Sequence, residues 1–337
     1  MKRKLLPILW LAAGAALLGW VIASNRPDRI LDALTASLDH PVLLAVAVLL
    51  TFAAQAVFLV KWHVMAHFAG APLDLRQTLH VFSTLALVGT FTPGRAGELA
   101  VPLLMRGGGR LTGVALVNRI LESTWTLAVG ILAALLMLES GSNLGRLWGV
   151  GLVFAALAGA MLVLSRRRYT EAILAAVRAA LRPMSRLRPV GWLLAMEERY
   201  AEGLGRLYDA SARLLRLDSL ALFGLMMLVI WLLVVSSSYC LIRATVPPGD
   251  KEITFALVVA AVATSAVAIS VSPIPAGLGF SEFTVVALFL QLGYPGEAFL
   301  PYLLLSRLID HVTVILFYFL GRAAGRELPA AGAAAAT

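Results

Sequence analysis

"FALVVAAVATSAVAISVSPIPAGLGFSEFTVVALFLQLG", residues Phe255–Gly293, is apolar enough for a membrane and too interrupted to cross one in the ordinary way. Pro273, Pro275, Gly277 and Gly279 stand in its middle, with Glu282 just after them. Each apolar half has about 12–18 residues, short of the roughly 20 that a helix needs to traverse about 30 Å of hydrocarbon. Proline and glycine stop helices. Backbone outside a helix is tolerated at membrane depth only where protein or a polar cavity receives it. The stretch is therefore a re-entrant hairpin or one interrupted span. "LHVFSTLALVGTFTPGRAGELAVPLLM", Leu79–Met105, has the same build. Its break is Pro93-Gly94, followed by Arg95, Gly97 and Glu98.

The rest of the chain agrees with a membrane setting. Of 337 residues, 60% are hydrophobic and 14% charged, against about 25% charged in soluble domains. Mean hydropathy is +0.87. Six uninterrupted apolar runs are long enough to span: about Leu5–Ala23, Pro41–Val60, Leu111–Leu138, Leu147–Leu164, Ser219–Ile242 and Ala298–Leu320. The first follows "MKRK" and reads as an uncleaved helix rather than a signal peptide, because no small-residue cleavage site follows it. Cys240 is the single cysteine, which excludes an internal disulfide.

The net charge of +9 raises the question of nucleic acid, and the positions of the basic residues answer it. With both broken regions as hairpins and the N-terminus cytoplasmic, 20 of the 28 basic residues fall on the cytoplasmic side, including eleven between Arg166 and Arg216. Five lie outside, and Arg95, Arg119 and Arg307 remain in the membrane. That bias follows the positive-inside rule, so no nucleic-acid partner is needed to explain it. The expected arrangement is multi-pass, with both termini cytoplasmic.

The same arrangement makes the halves alike. Residues from about 5 to 138 read as span, span, hairpin, span; residues 147 to 320 read the same way. Three crossings per half place the halves in opposite orientation, an inverted repeat of the kind transporters use. The fold expected is an all-α polytopic membrane protein, with about six full transmembrane helices plus two re-entrant or broken hairpins in an inverted-topology repeat. Residues 1–328 form one membrane domain. A cytoplasmic amphipathic insert occupies 165–218, and 329–337 is a disordered Ala-rich tail.

The charged motifs repeat with the halves. Pro93-Gly94-Arg95-Ala96-Gly97-Glu98 precedes Arg119-x-x-Glu122, and Pro275-Ala276-Gly277-Leu278-Gly279-Phe280-Ser281-Glu282 precedes Arg307-x-x-Asp310. Residues three apart share a helix face. Arg95, Glu98, Arg119, Glu122, Glu282, Arg307 and Asp310 could together cost on the order of 20 kcal/mol if buried without partners, so they must pair or line a wet cavity. Half-helices that start at the breaks present free N–H groups and positive dipole ends, which beside arginine suit phosphate or carboxylate. Two readings stand. The charges staple the bundle, or they meet an anionic ligand; their repetition at both breaks favours the second.

"TPGRAGE" followed by "NRILE", with "PAGLGFSE" followed by "SRLID", resembles the membrane domain of lysylphosphatidylglycerol synthase/flippase proteins and their stand-alone flippase-like relatives. The resemblance covers about residues 40–325. It implies a bacterial inner-membrane protein that moves lipids or lipid-linked groups between leaflets. The residues carrying it are Pro93, Gly94, Arg95, Gly97, Glu98, Arg119, Glu122, Gly277, Gly279, Glu282, Arg307 and Asp310. The chain departs from the usual Pro-Gly-Gly at Pro275-Ala276-Gly277, which stiffens the second break. The soluble transferase domain of the two-part enzymes is expected to be absent, because "PAAGAAAAT" follows soon after the last span.

The function expected is a translocator, not an enzyme, for an anionic, phosphate-bearing lipid or lipid-linked group. The alternatives are an intramembrane enzyme acting on a lipid-linked phosphate and a small-anion transporter. No cofactor or metal is expected: His63 and His67, four apart beside Trp62, read as interfacial anchors, and Gly107-Gly108-Gly109 lacks the lysine of a phosphate loop. His311 beside Asp310 is a candidate proton carrier.

Overall fold

The computed structural model describes residues 2–92, 95, 97–98, 109–137, 209–246, 253–272, 274–291, 293–294 and 296–324. The expected span Leu147–Leu164, nearly all of the 165–218 insert, the 329–337 tail, and Pro93, Gly94 and Pro273 lie outside the described residues. Within them the chain is all-α. Its helices are α1 (Lys2–Ser24), α2 (Pro27–Ser37), α3 (Pro41–Phe68), α4 (Leu75–Thr90), α5 (Gly109–Met137), α6 (Leu217–Thr245), α7 (Phe255–Val271), α8 (Phe280–Gln291) and α9 (Gly296–Ala324). A single 3-10 turn, Pro275–Gly277, joins α7 to α8.

Four of the expected spans are present among the described residues as helices long and apolar enough to cross: Pro41–Phe68, Arg110–Leu132, Leu217–Thr245 and Phe299–Ala324. At about 1.5 Å per residue, 28 residues give α3 a length of about 42 Å, well beyond the hydrocarbon core. α4 and α7 are only 16 and 17 residues long. Both start from built caps. Asp74 accepts from Gln77 N at 2.7 Å while Gln77 Oε1 accepts from Asp74 N at 3.1 Å, and Thr254 accepts from Leu257 N at 3.3 Å. Such caps satisfy donors that the first turn leaves unpaired.

α7 and α8 fold back on each other across the turn, so the second broken region is a helical hairpin rather than one interrupted span. The long helices pair in a regular way. α3 packs along α6, α4 along α9, and α7 along α5. Exchanging α3 with α6, α4 with α7 and α5 with α9 leaves this set of pairs unchanged. The short helices α4 and α7 therefore rest on α9 and α5, the two helices that carry Arg307 and Arg119. One apolar core gathers α6, α7, α8 and α9 around Trp231, Phe289 and Phe299; a second gathers α3, α4 and α5 around Met65, Phe82 and Phe223 of α6.

α1 closes the second turn. Gly279 has φ +77°, and a Cβ there would stand 2.7 Å from both Gly14 O and Leu18 N of α1. The backbone conformation and the close approach both require glycine. Gly279→Ala is expected to cost about 1–3 kcal/mol, read as earlier thermal unfolding of the detergent-solubilised protein. An unchanged unfolding temperature would mean that α1 does not bear on the turn.

Candidate functional site

At the first break, Thr92 takes over where the helix ladder stops. Its hydroxyl donates to Val88 O at 2.9 Å and accepts from Gly97 N at 2.8 Å. Ser272 does similar work at the second break, accepting from Ile274 N at 3.0 Å. Both hydroxyls immediately precede a proline, a signal that marks them as the groups receiving broken backbone. Each turn also holds a non-glycine residue in the left-handed region, Arg95 (φ +58°) and Ala276 (φ +56°). That costs on the order of 1–3 kcal/mol at each position and persists only where the surroundings hold it.

The second turn is held by Arg307 of α9. Its Nε donates to Glu282 Oε1 at 2.7 Å. Its other nitrogens donate to Ala276 O, to Gly277 O at 3.4 Å and to Ser281 Oγ. One guanidinium thus gathers the turn carbonyls, the following hydroxyl and the carboxylate of the first turn of α8. Glu282 is 1% exposed. The ion-pair partner of Arg307 among the described residues is Glu282, twenty-five positions away, and not Asp310 three positions along. Asp310 lies on an exposed part of α9. His311 Nδ1 donates to Arg307 O at 2.7 Å, which fixes the ring against its own helix.

The first break is held differently. Arg95 pairs with Glu98 of its own turn and stands 3.7 Å from Glu122 Oε2 on α5. Arg119 is 3.9 Å from the same oxygen. Glu122 Oε1 accepts from Asn118 Nδ2 at 2.8 Å and lies 3.6 Å from Lys61 Nζ. Lys61 belongs to this cluster and not to a cytoplasmic loop: α3 continues past Val60, and Lys61 is completely buried. Sequence reasoning missed it because the apolar run breaks at a lysine. The signal was the continuation "WHVMAHF", which carries the helix two more turns. Asn118, Ser281, Thr92 and Ser272 were missed as well. His63, expected at an interface, shares a 3.0 Å hydrogen bond with Thr78 of α4.

Two cavities flank the first cluster. The larger, about 180 Å³, has a polar wall of Arg95, Arg119, Glu122, Ser123 and Thr126 and an apolar wall from α6 and α7 that includes Trp231 and Val262. The smaller, about 130 Å³, lies between α3, α4 and α9 and is lined by Gln55, Thr90, Glu98 and Asn118 among others. Phe58, Arg95 and Glu122 line both. The expected residues Arg95, Glu98, Arg119 and Glu122 are thus brought together. Glu282 and Arg307 are brought together at the other break, with Gly277 bonded to Arg307 and Gly97 bonded to Thr92.

An all-α chain with several spanning helices, and with buried arginine–carboxylate clusters at its helix breaks, is a multi-pass integral membrane protein whose membrane interior is polar by design. The family described as the lysylphosphatidylglycerol synthase TM region matches residues 8–333, and the chain belongs to that family. Membership relates the chain to membrane lipids. Comparison with curated proteins and with solved structures gives no match.

Proposed function

We propose that the protein is a lipid translocator, carrying the anionic, phosphate-bearing headgroup of a lipid or lipid-linked group between leaflets while the acyl chains stay in the bilayer. The observation that carries this reading is the larger cavity, cationic along one wall and apolar along the other. Its volume of about 180 Å³ equals roughly six water molecules at about 30 Å³ each. A space of that size suits a small polar headgroup. Arg95 and Arg119 are the groups that meet the phosphate there. Arg307 and Glu282 hold the second turn in shape, and Asp310, exposed on α9, faces whatever approaches from that side.

The exchange symmetry of the helix pairs supports an inverted repeat of about residues 5–138 and 147–320 within one membrane domain. The 20 basic residues assigned to the cytoplasmic side include Lys61; with it inside the protein, 19 remain on that side against five outside, which still supports cytoplasmic termini, and the family supports a bacterial inner membrane. A translocator needs no bond-making group, and the clusters are built of arginine–carboxylate pairs.

Arg119→Ala tests the reading. Vesicles carrying the variant should exchange headgroup-labelled phosphatidylglycerol no faster than empty vesicles, while the folded variant is recovered in normal amount. Exchange at the wild-type rate would remove Arg119 from the headgroup path. Turnover of a lipid phosphate by the purified protein, lost in Glu98→Gln, would instead establish an enzyme.

A further inference from the structure

We infer that Lys61 is a positioning residue of the translocation site: it is the resident counter-ion of Glu122, which lets a headgroup draw Arg95 and Arg119 away from that carboxylate without leaving a bare charge inside the protein. The inference rests on the translocator reading and concerns a residue that lines neither of the two cavities described above.

The two oxygens of Glu122 face different partners. Oε1 faces inward, to Asn118 Nδ2 at 2.8 Å and Lys61 Nζ at 3.6 Å. Oε2 faces the arginines that line the larger cavity, at 3.7 Å and 3.9 Å. Both arginine distances, like the 3.6 Å of Lys61, exceed hydrogen-bond reach, so what sets Lys61 apart is its burial and not a tighter bond. The arginines are therefore held to Glu122 by charge more than by directed bonds, and an anion arriving in the cavity competes for them. A carboxylate that loses both would be buried without a cation, at a cost of several kcal/mol.

Lys61 prevents that. It is 0% exposed and lines neither cavity, so a headgroup does not reach it. Its other neighbours are poor substitutes for a carboxylate. Met227 Sδ accepts from Nζ at 2.9 Å, and the Phe58 ring centroid lies 4.7 Å away. An ammonium held against a thioether and a ring has one strong reason to stay charged, and that is Glu122. The charge count fits. Among the described residues, Lys61, Arg95 and Arg119 face Glu98 and Glu122, a surplus of one positive charge that a singly charged phosphodiester would neutralise. Without Lys61 the empty site would be neutral and the occupied one negative. The cavity walls supplied by α4, α6, α7 and α9 add no titratable side chain that faces Glu122.

A lysine that only filled space would predict the opposite mutational order. Met is of similar length and costs nothing to desolvate, and replacing buried charge by apolar volume is often neutral or stabilising. Exchange of headgroup-labelled phosphatidylglycerol is measured in proteoliposomes of wild type, Lys61→Met and Lys61→Arg, at about pH 7.5 and about pH 5. Lys61→Met should be about tenfold slower or worse at the higher pH and regain part of its rate at the lower, where a proton on Glu122 replaces the ammonium. Lys61→Arg should stay close to wild type, and wild type should change little. A Lys61→Met rate equal to wild type, equal slowness at both pH values, or a Lys61→Arg rate below that of Lys61→Met overturns the inference while wild-type exchange keeps the translocator reading intact. Absence of exchange by wild type overturns both. If Lys61→Met yields no folded protein, Glu122→Gln is added. Recovery of folded protein supports the counter-ion role, and no recovery contradicts it.

Discussion

Arg307→Ala is expected to abolish lipid exchange and to cost about 3–5 kcal/mol of stability, the range for removing one partner of a buried ion pair. The guanidinium binds Glu282, Ser281 and the carbonyls of Ala276 and Gly277 at once. Its loss leaves a carboxylate at 1% exposure without a cation. It also frees the left-handed Ala276, whose conformation only the surrounding contacts maintain. The double variant Arg307→Ala with Glu282→Gln separates structure from transport. Removing the stranded charge should restore much of the unfolding temperature and none of the exchange. If exchange returned as well, the shape in which Arg307 holds the second turn would not matter to transport.

Glu122→Leu should have the larger structural effect. One carboxylate serves three cations, Lys61 at 3.6 Å, Arg95 at 3.7 Å and Arg119 at 3.9 Å. A buried charge costs about 2.5–3.5 kcal/mol at a helix centre when nothing compensates it, which applies most fully to Lys61 at 0% exposure, and Glu98 is the other carboxylate of this cluster among the described residues. The expected outcome is loss of folded protein from the membrane fraction, measured by size-exclusion chromatography in detergent. Glu122→Gln keeps the acceptor to Asn118 and should be milder, with protein recovered and exchange impaired. Normal yield of Glu122→Leu would show that the cations find water or other acceptors, and that the cluster is wetter than its burial implies.

Sequence reading reached the elements that composition and spacing control. Long apolar runs place α3, α5, α6 and α9, because a crossing helix has to be apolar over most of its length. Clusters of proline and glycine place the breaks, because together they remove backbone donors and favour non-helical backbone; a single proline does not suffice, and α9 runs through Pro301. Arg119 and Glu122 on one face of α5 follow from helical periodicity alone. What stayed illegible depends on packing between distant segments. Asp310 is the nearest acid to Arg307 along the chain, yet the arginine turns to Glu282, because the α7–α8 hairpin delivers that carboxylate together with two carbonyls and a hydroxyl. Lys61 sits at the end of an apolar run, where lysines ordinarily reach the interface. Only the packing of α3 on α6 shows it sealed beneath Met227. The crossed arrangement, with α4 on α9 and α7 on α5, is tertiary information that no local pattern encodes.

The central claim is that a lipid headgroup occupies the cavity beside Arg95 and Arg119 while its chains lie in the bilayer. The most direct measurement is a structure determined in lipid nanodiscs containing phosphatidylglycerol. The account predicts phosphate density between Arg95 and Arg119, with two acyl chains leading from it past the apolar wall of α6 and α7. Density for a compact anion without chains at that position, or lipid density that stops outside the cavity with the arginines still directed at Glu122, would contradict it.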